Sequence, residues 1–152
     1  MLPRSLAALA IAVTVSVTAF VTMPATAHAQ SAAQALRNFG LLGTWATDCS
    51  RPAAANNFYT VYSASGGQVQ RIYYNAPGKI YNQYTITEAN ILASNELRYV
   101  QHGQAGAIEV TLRKADNRIL VWTSRVIGGK TFVQDGKYTD DGAGVVWQAR
   151  CR

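Results

Sequence analysis

The residues of this chain that could do covalent or acid-base chemistry are few and poorly spaced for it. Past residue 29 there is one histidine, His102, and two cysteines, Cys49 and Cys151. A single imidazole cannot build a His-based metal cluster, and a nucleophile needs a base within reach. The carboxylates are Asp48, Glu88, Glu96, Glu109, Asp116, Asp135, Asp140 and Asp141. Most stand beside Gly or Asn, where acids serve as turn residues. Asp140 and Asp141 are not followed by the alternating oxygen ligands and closing Glu of a calcium loop. There is no phosphate-cradling glycine loop and no nucleophile elbow. This inventory predicts no catalysis, no metal and no cofactor.

What the chain has in excess is aromatic surface with polar tips. Eight Tyr and three Trp follow residue 29, with "FYTVY", "IYYN" and "IYNQY" in succession. In a β domain such rings tend to line an interior that keeps ligand-accessible space, although an eight-stranded interior can also be just filled by side chains. On the apolar parity of their strands, Trp45, Tyr62, Tyr74, Tyr84, Tyr99, Trp122 and Trp147 are expected to face inward as the candidate ligand-binding set. Arg71, Arg98, Arg113, Arg125, Arg150 and Arg152 fall on the other parity. They predict a cationic outer wall, suited to an anionic envelope polymer or an acidic protein.

The first 29 residues read as a secretory signal peptide: Arg4 gives a positive start, Leu6 to Val21 carry no charge, and Ala27, His28 and Ala29 are spaced for cleavage before Gln30. The apolar run is too short for a membrane span of about 20 residues and is followed by Pro24. The expected location is periplasmic or secreted, where nucleic acid is scarce. Removing the leader leaves 13 basic and 8 acidic side chains in one domain. In that oxidising location Cys49 and Cys151 are expected to pair.

Residues 30–42 form a short helical lead-in, with apolar Ala35, Leu36 and Phe39 and a stop at Gly40. From residue 43 to 152 β-branched and aromatic blocks alternate with Gly, Asn, Asp and Pro turns. The blocks are 43–49, 58–64, 69–75, 80–87, 97–102, 108–114, 119–126, 131–134 (with an extension to 138) and 145–151. Their short connections join antiparallel neighbours. The expected fold is all-β: one small antiparallel up-and-down β-barrel of 8–9 strands with one disulfide. Trp45 and Cys49, like Trp147 and Cys151, are four residues apart and would share a strand face. The bridge then becomes the covalent seam between first and last strands. The two indoles sit at different heights along it and do not stack.

Gly43, Thr44 and Trp45, in "LLGTWATDC" after a short helix, resemble the start of the calycin superfamily of lipocalins and avidins. The resemblance implies a meandering barrel whose interior takes an apolar or aromatic small ligand. The biotin-contacting residues of avidins have no counterpart on the later strands, and the chain is too short for the C-terminal helix of a full lipocalin. A looser resemblance, in size, export and disulfide, is to small periplasmic barrel inhibitors of lysozyme and secreted proteases. For them the loop "SRPAAANN", residues 50–57, is the contact candidate. The expected function is an exported, monomeric ligand-binding barrel. The alternative is an inhibitor of a secreted hydrolase acting through its surface and loops.

Overall fold

A computed structural model describes residues 31–104 and 106–152; the expected signal peptide lies outside the described residues. One helix precedes ten strands: α1 (Ala32–Phe39), β1 (Gly43–Ala46), β2 (Tyr59–Ser65), β3 (Gln68–Ala76), β4 (Lys79–Ala93), β5 (Glu96–Gly103), β6 (Gly106–Ala115), β7 (Arg118–Val126), β8 (Thr131–Gln134), β9 (Lys137–Tyr138) and β10 (Gln148–Cys151). Strands β1 to β7 form an antiparallel meander. β10 then pairs with β1 on one side and with the start of β7 on the other, closing an eight-stranded barrel. β8 and β9 make a hairpin that leaves the ring, pairing with the far half of β7. Asp135 and Gly136, both at positive φ, form its two-residue turn.

α1 plugs one end. The Ser31 hydroxyl accepts from the Gln34 amide at its start, and the amides of Gly40 and Leu41 close its last turn. Ala35, Leu36 and Phe39 are buried with Leu41, Trp45, Tyr62, Leu97 and Tyr99 in one core. Lys114 donates to the Phe39 carbonyl at 2.8 Å and holds the helix end to the wall. The Gly-x-Trp sequence has its physical reason here. The indole of Trp45 is buried and donates to the Leu41 carbonyl at 2.8 Å, while Gly43 has φ 131° and leaves room for the guanidinium of Arg150. That group caps the same end, donating to the Leu42 carbonyl at 2.9 Å with its carbon 6.0 Å from the Trp45 ring. Arg150, expected on the outer wall, therefore lies across the plugged end.

Two features differ from the sequence reading. Residues 88–93, which fall between the expected 80–87 and 97–102 blocks, continue β4 through a register shift near Ile86 and Glu88, and Ala89 packs inside opposite Tyr99. The disulfide joins Cys49 to Cys151 across 102 residues, but Cys49 is not in β1. The chain leaves the ladder after Ala46 and folds back over the outer face. There the Cys49 sulfur lies 3.7 Å from the Ala149 carbonyl oxygen, while Thr44 is the residue opposite Cys151. The seam is covalent, yet it is a clasp over the wall and not a cross-strand pair.

That clasp also reverses the expected parity of the last strand. Gln148 stands opposite Ile119 on the inner face and donates to the Thr60 hydroxyl at 3.2 Å, so Trp147, Ala149 and Cys151 take the outer face. They are apolar because the Cys49 turn and Arg118, whose guanidinium carbon is 5.8 Å from the Trp147 ring, cover that face. Trp45 and Trp147 do not stack, being on opposite sides of the wall.

A bridge closing a loop of this length contributes about 4–5 kcal/mol through the unfolded state in the chain-entropy model. Paired replacement of Cys49 and Cys151 by Ala is therefore expected to lower the unfolding free energy by about 4 kcal/mol in urea titration, with the β circular-dichroism spectrum retained in water. A loss below about 1 kcal/mol would show that packing alone holds β10.

Candidate functional site

Opposite the helix plug the barrel opens into a cup of about 480 Å³. Its rim is made by residues 55–58, the β3–β4 hairpin and residues 138–146. The rim loop 50–58 is held by Asn57, whose buried amide donates to the carbonyls of Asp48, Arg51 and Pro52 and accepts from the Asp48 amide. The Tyr59 hydroxyl ties Cys49 and Arg51 into the same turn. The loop singled out as an inhibitor contact is thus pinned down as part of the cup, with Ala55 and Asn56 in its lining.

Ladder register determines the inner face. Tyr62, Arg71 and Tyr84 are successive cross-strand neighbours on β2, β3 and β4, and Thr60, Tyr73 and Asn82 form the row above them. Leu112, Ile119 and Val121 supply the opposite wall. Of the expected ligand-binding set, Tyr62 and Tyr84 line the cup. Tyr99 is buried next to Tyr62, their hydroxyls 3.3 Å apart, and Trp45 lies in the core beneath the plug.

Tyr74, Trp122 and Trp147 do not line the cup. Tyr74 alternates with Tyr73 and takes the outer side of β3. Trp122 is the extra residue of a bulge. Thr111 pairs with Thr123 and Leu112 with Val121, so Trp122 is left over and turned out, where Arg113 stacks on its ring at 3.7 Å and Gly136 lies against it.

The largest departure is Arg71. Expected on the outer wall, it is 5% exposed and points into the barrel on the face shared by Val69 and Tyr73. Its guanidinium carbon lies 4.5 Å from the centre of the Tyr73 ring, 5.5 Å from Tyr62 and 6.0 Å from Tyr99. Nη1 donates to Oε1 of Gln101 at 3.3 Å, and Nε is buried without a partner. No acidic residue lines the cup among the described residues. Each ring face contributes about 0.5–2 kcal/mol to holding the cation. That offsets only part of the several kcal/mol that removing a charge from water costs. The signal that could have located Arg71 was Val69, an apolar residue two positions before it, which anchors the parity of β3. The doublet Tyr73 and Tyr74 concealed which of the two adjacent faces was interior.

By contrast Arg98, Arg113 and Arg125 do lie outside, and each faces a carboxylate. Arg125 meets Glu109 at 2.7 Å and Arg113 meets Glu96 at 3.1 Å, while Arg98 is 4.0 Å from Glu109. These three cations share two carboxylates, whereas the interior cation faces none among the described residues.

Burial pushes the Tyr99 hydroxyl well above the ordinary tyrosine range and Tyr73 upward too, the nearby Arg71 charge only partly opposing it. Burial works against the Arg71 charge, while any phenolate formed beside it would favour it, so the guanidinium keeps its proton throughout. The cage therefore supplies ring faces and neutral hydroxyls, not anions.

Comparison with protein-family models, curated proteins and solved structures finds no match.

Two outcomes test this geometry. Because both folded-state values lie above the ordinary value of 10, the neutral phenols favour the folded state fully below pH 10, and that stabilisation is lost as pH rises from there. Tyr73→Phe and Tyr99→Phe should each flatten the alkaline fall in stability, read from thermal midpoints across pH 9 to about 12. An unchanged slope in both would place these hydroxyls in water. Separately, a Cβ on Gly103 would sit 2.6 Å from the Tyr84 ring. Gly103→Ala should cost about 1–3 kcal/mol and displace that ring into the cup, visible as altered Tyr84 ring resonances by NMR.

Proposed function

We propose that this chain is an exported barrel that holds a small ligand in its cup and performs no chemistry on it. The observation that supports this most is the pairing of one plugged end with one open end. A filled core has no use for a mouth, whereas a cavity of about 480 Å³ lies within the usual range for small-molecule sites. The lining mixes ring faces and aliphatic groups with a few fixed polar tips, Gln148 and Asn82 among them, as a site for a partly apolar molecule requires. Asn82 already donates to the Tyr84 hydroxyl at 2.7 Å, which orients that ring on the wall before any ligand arrives.

The disulfide fits an oxidising compartment, and no helix among the described residues is long and apolar enough to cross a membrane. Together with the apolar leader in the sequence, the disulfide supports a periplasmic or secreted carrier. The calycin likeness rests on the Gly-x-Trp start and the seven-stranded meander closed into a barrel by β10.

Val121 is half-buried and lines the cup, so Val121→Trp should fill it. The neutral fluorophore N-phenylnaphthylamine is expected to brighten on mixing with the wild-type protein and to bind at least about tenfold more weakly to Val121→Trp, a loss of about 1.4 kcal/mol. Both proteins should give the same circular-dichroism spectrum. Equal fluorescence in both, or none in either, would move the function to the outer surface.

A further inference from the structure

We propose that Arg71 anchors the carboxylate of an organic acid whose apolar or aromatic body fills the cup. The inference rests on the cup being a ligand site and names the class of ligand it takes.

A guanidinium presents two nitrogens in a fixed fork that matches the two oxygens of a carboxylate. In Arg71 one nitrogen, Nη1, is committed to Gln101. The edge formed by Nε and Nη2 has no protein partner among the described residues, and Nε is buried. Buried donors are nearly always satisfied in folded proteins, so an unpaired buried donor on a residue that lines a cavity marks the place of an absent acceptor. The three surrounding rings fix where the group sits without neutralising it.

Charge matching selects the anion. The cup lining contains no Lys, His, Asp or Glu among the described residues, so Arg71 is its sole formal charge. A monoanion brings the interior to neutrality. A phosphate dianion would leave an uncompensated negative charge in a low-dielectric site, and a cationic ligand would meet like charge. The rest of the lining, Tyr73, Tyr84 and Phe58 on one side with Leu112 and Val121 on the other, offers ring and aliphatic surface and no second ionic contact. The ligand therefore carries one acidic head and a body without further charge.

The test uses the full mature protein and neutral N-phenylnaphthylamine as reporter, displaced by phenylpropanoate or octanoate and by the matching primary amides. Expected is a preference of roughly ten- to a hundredfold for acid over amide, the size of a charge-assisted fork. Arg71→Met should reduce the acids to the level of the amides. Its thermal midpoint without ligand should hold or rise, since an unpaired buried charge has been removed. Arg71→Lys, which keeps the charge and loses the fork, should retain a part of the preference. By NMR the Arg71 Nε proton should move downfield with the acids and stay in place with the amides.

Three results would overturn the proposal. One is reporter binding with equal displacement by acids and amides, which leaves the cup reading intact and removes the anchor. Another is an Arg71→Met variant that is destabilised while keeping the acid preference, which makes the guanidinium a structural filler. The third is an Nε proton unmoved by either acid, and this result decides the matter even if the reporter fails to bind.

Discussion

The whole structure depends on four residues, Gln148 to Cys151, pairing on two sides at once. A meander of seven strands has two exposed edges, and exposed edges pair with whatever strand they meet. β10 satisfies both: Ala149 is opposite Ala46 on β1 and Arg118 on β7. A strand of only four residues has few ladder bonds of its own to hold it. The Cys49 clasp, the Arg150 cap over the plug and the Gln148 contact with Thr60 all act on these four residues. Only because the ring closes there does the molecule have an inside, and hence a place where a buried charge has consequences.

The interior is divided by height. Below, α1 and the core around Trp45, Leu97 and Tyr99 exclude water and provide most of the hydrophobic stabilisation. Above, space remains. Arg71 lies between the two with its cage of tyrosines, at the one level where a charged group touches both packed core and cavity. A barrel selected for stability alone would carry an apolar side chain there. Retaining a cation whose hydrogen bonding is incomplete is the kind of local conflict that functional sites contain, set against an otherwise consistent core.

The outer wall shows how closure and bulging redistribute residues of similar character. The bulge at Trp122 moves a large ring from the inside, where it would have filled the cup, to the outside, where Arg113 and the β8–β9 turn cover it. The same irregularity lets β7 serve two partners, β10 along its first residues and β8 along its last. The cavity thus exists partly because one residue of β7 is out of phase.

What the sequence determined by itself was whatever depends on neighbours along the chain. The helix within 30–42 and its stop, the turns at Gly and Asn, the antiparallel order and the inward placing of Tyr62 and Tyr84 follow from local propensity and period-two alternation. The pairing of Cys49 with Cys151 followed from compartment and count. What only the tertiary structure decided was every parity that crosses a bulge or a doublet of like residues. Trp122 changed face because one extra residue inverts alternation, and Tyr73 rather than Tyr74 turned inward because Val69, two pairs along, is the residue in the core. Arg71 followed the same register, although charge alone argued for the surface. Trp147 went outside because a turn from the other end of the chain covers it. Alternation says that two sets of side chains face opposite ways, but which set is interior depends on the partner strands, and those are distant in sequence.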